Sequence, residues 1–274
     1  MAVAAGGVLS SFADSERSMP QRALGRTGIV VSPLGLGTVA LGRAEGLKYP
    51  RPVRIPTDED ALELLSRARA VGVNLIDTAP AYGLAEERLG SLLPGRREDW
   101  VIATKAGEEY YQRYDFSPGS LLRSVERSLT RLRTDYLDVV LLHSDGVVEA
   151  GAAADDAYDV LARLRERGLT RAIGASTKTE AGADRAIGRC DVVMLTYNEQ
   201  DAGMAGAIAR AHARGLGVLV KKPLAGGHAG DADRALRFVF DCPGVTAAIV
   251  GTTNPDHLVY NVRAAERAIG GVKS

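Results

Sequence analysis

The chain has 274 residues, 46% of them hydrophobic, enough to bury one large core, and α/β barrels commonly reach this size as a single domain. Thirty-four basic side chains balance thirty-four acidic ones, so bulk charge draws the chain neither to nucleic acid nor to an anionic membrane, and a small-molecule partner fits better. The two cysteines, Cys190 and Cys242, are far apart and in no metal-binding spacing, which argues against a disulfide framework or a metal site and fits reduced thiols in a cytoplasmic protein.

The N-terminal stretch is mildly apolar but lacks a basic leader and is broken by Gly6 and Gly7, so it reads as a poor signal peptide. Residues 1–20, rich in Ala, Gly and Ser, read as a flexible extension, and residues 21–274 as one domain. No later stretch has the length of a membrane span. Leu24 to Val31, with Gly25 and Gly28, predicts a short β-hairpin placed to plug the bottom of a barrel.

From there, short apolar runs alternate with amphipathic ones, the pattern of βα units around a parallel sheet. The apolar runs end near Gly37, Asp77, Lys105, His143, Ser176, Tyr197, Lys221 and Gly251, which makes eight units. Thr57 and Asp60 flank an expected N-cap before Leu62, Leu65 and Ala68. Ser117-Pro118 opens a helix carrying Leu121, Val125, Leu129 and Leu132, and Asn254-Pro255 opens the last one. A (β/α)8 TIM barrel is the expected fold. The competing open, doubly wound sheet lacks its glycine-rich fingerprint, since Gly35, Gly37 and Gly42 do not form GxGxxG.

In a barrel, chemistry sits where strands end at the C-terminal face. Asp77 closes one strand with Tyr82 in the loop beyond; Lys105 closes a second and His143 a third. Singly, Asp77 could cap loop amides, Tyr82 could be a packed aromatic and His143 a hydrogen-bonded core residue. Lys105 is harder to explain in that way, because a lysine ending an apolar strand loses hydration and needs a partner. Together they form an acid/base centre: Asp77 holds Lys105 charged, Lys105 lowers the Tyr82 phenol from its ordinary value of about 10, and His143 orients a carbonyl oxygen.

These residues lie in the segments NLIDTAPAYG, VIATKAG and LDVVLLHSD, and with them the chain, from about Leu24 to its end, resembles the aldo-keto reductases. The resemblance implies an oxidoreductase in which Tyr82 is the general acid in carbonyl reduction and the base in alcohol oxidation, with hydride exchanged at the nicotinamide C4.

Barrels often hold phosphates at the loops after strands seven and eight, against a helix N-terminus. Two loops here qualify: Pro223-Leu224-Ala225-Gly226-Gly227 and Gly251-Thr252-Thr253-Asn254-Pro255. Ordinary turn glycines are the alternative reading of both. The resemblance adds Gly37, Thr38 and Asp77, with Ser176 and Thr177 at the nicotinamide carboxamide and Asn261 at the adenine. Met194 stands in place of a common Gln, and Lys221 in place of a stacking aromatic, leaving its aliphatic stem to stack. His257 and Arg263 are the candidates for a 2′-phosphate, so NADP(H) is expected and NAD(H) use is left open. Tyr49, Pro50, Tyr110, Tyr111, Tyr114 and Phe116 could wall a pocket for a sugar or aromatic aldehyde, or pack against helices instead. The short run between Gly227 and the helix carrying Ala235, Leu236, Phe238 and Val239 predicts an open cofactor site. Two rival functions remain: a Schiff-base lyase with Lys105 as nucleophile, and a non-enzymatic binding module on the same barrel.

Overall fold

The computed structural model describes residues 19–47, 49–50, 52–110, 113–147 and 152–270. Eight strands, all parallel, close a barrel in the order β3 (Leu34–Gly37), β4 (Leu75–Asp77), β5 (Val101–Ala106), β8 (Leu137–His143), β9 (Thr170–Ser176), β10 (Val192–Thr196), β11 (Gly217–Lys221) and β12 (Ala247–Gly251), which returns to β3. The expected barrel is the observed one, and its closure rules out the open sheet. Strand ends differ slightly from expectation: β5 runs one residue past Lys105 and β10 stops one short of Tyr197.

Strand parity explains what lies inside. Along β8, Val139 and Leu141 belong to the apolar barrel interior, while Val140 and Leu142 pack outward under the helices. Because strand side chains alternate, the next inward position is His143. The same count places Asp77, Lys105, Ser176, Thr196 and Lys221 on the inner face of the mouth, one layer above Leu75, Ala103, Met194 and Leu219. The three strand-end residues expected to carry chemistry, Asp77, Lys105 and His143, therefore ring one space because each follows an apolar inward neighbour two residues earlier.

The hairpin β1 (Arg22–Ala23) and β2 (Val30–Val31) closes the other end, with Leu24, Ile29 and Val31 in the same apolar cluster as the barrel interior. Gly25, at φ 58°, abuts the start of β11 so closely that a Cβ there would stand 2.3 Å from the Gly217 nitrogen, which requires glycine. Met19, assigned from sequence to the extension, is buried in the outer core; residues 1–18 lie outside the described residues.

Among the outer helices, α2 (Asp58–Ala70) starts with the expected cap: Thr57 Oγ1 accepts from the Asp60 amide at 3.2 Å, and Asp60 Oδ2 accepts from the Thr57 amide at 3.3 Å. Its buried face is Ala61, Leu64, Leu65 and Ala68, which corrects the expectation for Leu62; one position off the 3.6-residue stripe, Leu62 faces outward. A short α1 (Val39–Gly42) follows β3, and α3 (Ala85–Leu92) follows β4. The long α4 (Pro118–Leu132) begins at Ser117-Pro118 as expected and buries Leu121, Val125 and Leu132. The remaining helices are α5 (Ala152–Glu166), α6 (Glu180–Arg189), α7 (Ala205–Ala213), α8 (Ala232–Phe240) and α9 (Pro255–Gly270). A second small hairpin, β6 (Glu108–Glu109) with β7 (Arg113–Tyr114), rises from the end of β5. No described helix is long and apolar enough to cross a membrane.

Candidate active site

Lys105 is 1% exposed and donates three hydrogen bonds: to Asp77 Oδ1 at 2.6 Å, to the Thr78 carbonyl at 2.8 Å and to the Tyr82 hydroxyl at 3.0 Å. That saturates an ammonium, which is how so deep a charge is tolerated. The Tyr82 hydroxyl lies 3.4 Å from Asp77 Oδ2, and the His143 ring stands edge-on to the Tyr82 ring with centroids 6.4 Å apart. The four residues expected to act together are thus assembled, from β4, β5, β8 and the 3-10 turn Pro80–Tyr82.

A buried hydrogen-bond network lies behind them. Outward from Lys105 on β5, Thr104 donates to the fully buried Glu86 of α3 at 2.6 Å. Glu86 in turn accepts two bonds from Arg131 of α4, at 2.8 and 2.6 Å. The Tyr82 turn is clamped by α1: a Cβ on Gly42 would stand 2.2 Å from the Tyr82 carbonyl oxygen, and one on Gly83, at φ 64°, would stand 2.3 Å from the Gly42 carbonyl oxygen.

The electrostatics correct one expectation. Burial raises the Tyr82 phenol most, Asp77 adds to that, and the pull of Lys105 the other way is smaller, so the phenol is pushed up to about 12 rather than lowered. For Lys105, burial works against the charge, but Asp77 and then Tyr82 outweigh it, and the ammonium is raised to about 12. Burial holds the His143 imidazole below its ordinary value, with Lys105 and Lys221 adding to this and Glu108 opposing it.

Glu108 is the residue that sequence reasoning missed. It is buried at the start of β6, and its Oε2 lies 2.8 Å from His143 Nδ1. A carboxylate directly beyond the apolar strand VIATKAG was the available signal.

The expected cofactor positions line the other half of the mouth. Thr38 is buried, and both its amide and its hydroxyl donate to the Asp77 carbonyl, at 3.0 and 2.9 Å; Gly37 pairs with Asp77 across the β3–β4 ladder. Met194 lies in the apolar filling below the mouth, beside Ser176 in register. The Lys221 Nζ donates to Ser176 Oγ at 2.9 Å and to the Thr177 carbonyl at 2.8 Å. After β11, Lys222 and Ala225 adopt positive φ of 56° and 50°, uncommon for residues with a Cβ, and the Lys222 carbonyl accepts from Asn198 Nδ2 at 3.0 Å. Pro223 is buried beneath this turn; Leu224 precedes and Gly226 lies within the 3-10 turn Ala225–Gly227. After β12, Thr252 Oγ1 accepts from the Asn254 amide, and Asn254 Oδ1 accepts from the amides of Asp256 at 2.8 Å and His257 at 3.2 Å, capping α9. Asn261 is buried on α9, while His257 and Arg263 are exposed.

Two clefts border these loops rather than the tetrad. One of about 330 Å³ is lined by Asn198, Pro223, His228 and Arg234; the other, of about 530 Å³, by Arg54, Pro56, Thr253 and Pro255. The pairs Tyr49-Pro50 and Tyr114-Phe116 do come to the mouth. Pro50 lies 3.2 Å from where a Gly227 Cβ would be, the Tyr49 hydroxyl 3.0 Å from that of Gly251, and Phe116 packs over Gly107. Tyr110 sits near Gly83, and Tyr111 lies outside the described residues.

A dinucleotide fits this half on two observations. The Thr177 hydroxyl is buried without a hydrogen-bond partner beside Ser176, and Gly251 presents exposed backbone, next to the Tyr49 hydroxyl, just before the capped start of α9. Among the described residues, no group of His, Cys, Asp and Glu is placed to hold a metal ion.

The sequence profile of the Aldo/keto reductase family matches residues 33–234, spanning β3 through the start of α8. The chain belongs to this family. Among solved aldo-keto reductases, a protein from Pseudomonas aeruginosa assigned to the family superposes with a TM-score of 0.83 at 46% identity, covering 93% of this chain and 98% of that one. The holo form of an aldo-keto reductase from Bacillus halodurans, 24% identical with a TM-score of 0.77, shares the fold over 92% of this chain and 96% of its own. Curated relatives include L-galactose dehydrogenase of Arabidopsis thaliana, 32% identical over 75% of this chain and 66% of that protein. The NADH-specific methylglyoxal reductase of Escherichia coli is 30% identical over 66% and 60%. The chain spans about half to two thirds of the length of the curated relatives it matches.

Proposed function

We propose that this chain is an NAD(P)(H)-dependent oxidoreductase that reduces an aldehyde or ketone to the alcohol, or runs the reverse reaction, with Tyr82 as general acid and base. The observation that carries this reading is the chain of contacts Asp77–Lys105–Tyr82 in a buried mouth, with His143 edge-on to the phenol.

A bound nicotinamide supplies or accepts the hydride. The chain's own residues handle the proton. A phenol held at about 12 is protonated throughout the physiological range and is ready to donate. The alkoxide that forms as the carbonyl is reduced is a far stronger base than a phenolate, so the transfer runs downhill. The phenolate left behind is stabilised by Lys105, whose charge Asp77 secures. Loops 223–227 and 251–254 would hold the pyrophosphate, Ser176 and Thr177 the carboxamide, and Asn261 the adenine. With only His257 and Arg263 from the expected set near the 2′ position, both NADPH and NADH are expected to bind. The Tyr49, Tyr114 and Phe116 side chains at the mouth favour a sugar or a small aromatic aldehyde, the first in keeping with a relative named for L-galactose.

The lysine-nucleophile alternative is disfavoured, because Lys105 donates three hydrogen bonds and is held charged, whereas a Schiff-base lysine must offer a free amine. The test is oxidation of NADPH and of NADH with 4-nitrobenzaldehyde, wild type beside Tyr82→Phe. Turnover lost in the variant while cofactor binding persists is expected; turnover unchanged by the substitution would end the assignment of Tyr82.

A further inference from the structure

We propose that Glu108 is a positioning residue that keeps a proton on His143 Nδ1, so that His143 can donate a hydrogen bond to a substrate carbonyl oxygen only as the imidazolium. The Glu108–His143 pair then sets the pH range in which the site reduces carbonyls. This rests on the carbonyl-reductase reading for its consequence, though not for its geometry.

His143 Nδ1 and Glu108 Oε2 are 2.8 Å apart, and both side chains are largely buried. Nδ1 is buried and has no aligned hydrogen bond in this structure, although the carboxylate oxygen is within reach; with the ring proton on Nε2 alone, two lone pairs would face each other at that distance. A proton on Nδ1 removes both costs. Glu108 is well placed for this: Gly107, at φ 105°, turns the chain out of β5. The β6–β7 ladder then sets Glu108 opposite Tyr114, whose hydroxyl also bonds the carboxylate, with the Lys178 ammonium 5.5 Å from the Tyr114 ring centroid. Burial pushes the Glu108 carboxyl up, but His143 itself, then the Tyr114 hydroxyl and the Lys178 charge, outweigh it and hold the group below its ordinary carboxylate value, so it is an anion at neutral pH.

The consequence follows from the imidazole ring. A neutral His143 with Nδ1–H has a lone pair on Nε2, which repels a carbonyl oxygen and cannot polarise it. The imidazolium donates from both nitrogens, to Glu108 through Nδ1 and to the carbonyl through Nε2. Its charge faces Lys105 of β5, Lys221 of β11, the Tyr82 phenol and Glu108 of β6, with Tyr114, Lys178, Asp145 and Arg43 around the carboxylate. Among the described residues, Glu108 is the carboxylate in direct contact with His143, set against two lysines and burial.

The experiment reads nitrogen-15 shifts of the histidine side chains in the full-length protein across pH, with His143 identified by the loss of its signals in His143→Gln. Wild type is expected to show Nδ1–H in the neutral ring. Glu108→Gln keeps an oxygen acceptor but no charge; its His143 midpoint is expected to fall by about one pH unit or more. The alkaline limb of kcat/KM for reduction should fall with it, at an acid plateau changed only a few-fold, and Glu108→Asp should restore part of the shift. An Nε2–H tautomer in wild type, which does not depend on Glu108→Gln folding, or identical midpoints in wild type and Glu108→Gln, would overturn the proposal. The spectrum is read without turnover, so a chain that reduces nothing would defeat the reductase reading and leave the Nδ1 assignment to be decided by the shifts.

Discussion

The two halves of the barrel mouth are built on different physics. On the β4–β5–β8 side, four side chains from three separate segments come together, are largely buried, and are backed by the Glu86–Arg131–Thr104 network. On the β9–β12 side, the expected cofactor positions are mostly loop backbone and helix cap, exposed or partly exposed, around the buried hydroxyls of Ser176 and Thr177, with Lys221 bound across the mouth to Ser176. Side-chain geometry should therefore govern chemistry on one side, and loop conformation should govern affinity on the other. That separation can be broken by experiment.

The largest effect tests it first. Tyr82→Phe removes one oxygen from the buried side and is expected to lower turnover by about 10²–10⁴-fold, the usual worth of a positioned proton donor. Dissociation constants for NADPH and NADH, measured by fluorescence titration, should change less than about two-fold because no loop moves. A comparable loss of cofactor affinity would mean that the two halves are not separable.

The buried side also has an alkaline signature. Tyr82 and Lys105 are both raised to about 12, from ordinary values of 10.0 and 10.5. The folded state holds these protons more tightly than the unfolded one. The stability they confer is therefore complete below about pH 10 and is lost as pH rises through about 12. Urea unfolding followed over that window should show stability falling with pH in wild type, and a shallower fall in Tyr82→Phe. Identical slopes would show that the phenol is not held up by its surroundings.

How much of this was legible before the structure follows from the same contrast. The barrel and the tetrad could be read because parity is local: Val139, Leu141 and His143 declare one face of a strand, and each strand repeats the rule independently. The direction of the Tyr82 shift was not legible, since it depends on how burial and Asp77 weigh against Lys105. Glu108, and the hydrogen bonds of Lys221 across the mouth, escaped for a related reason: each depends on a residue of another strand, His143 for the first and Ser176 for the second. Leu62 was misread because a helix face one position off the stripe looks the same in a short apolar run.

Lys221 offers a smaller and sharper test. Its ammonium at the mouth would disfavour an oxidised, positively charged nicotinamide more than a reduced, neutral one, and it also engages the Ser176 hydroxyl. Lys221→Met is expected to tighten NADP⁺ relative to NADPH by roughly three- to tenfold, read as the ratio of dissociation constants by calorimetry. Equal changes in both forms would place Lys221 in packing and not in the electrostatics of the ring.

The smallest expected effect falls on the loop side and carries stability and affinity together. Asn254 Oδ1 caps α9 through the Asp256 and His257 amides, so Asn254→Ala should cost about 1 kcal/mol, seen as a modest fall in Tm by circular dichroism. The same amides open the helix against which a phosphate would sit, and freeing them loosens the loop that presents Gly251. NADPH and NADH should therefore both bind a few-fold more weakly, while turnover at saturating cofactor stays near wild type. Tyr82→Phe is expected to give the converse, with turnover lost and affinity kept. If Asn254→Ala lowers Tm but leaves both affinities untouched, the cap is only a cap, and the phosphate must be held by the loop after β11, where Lys222 and Ala225 maintain their positive φ.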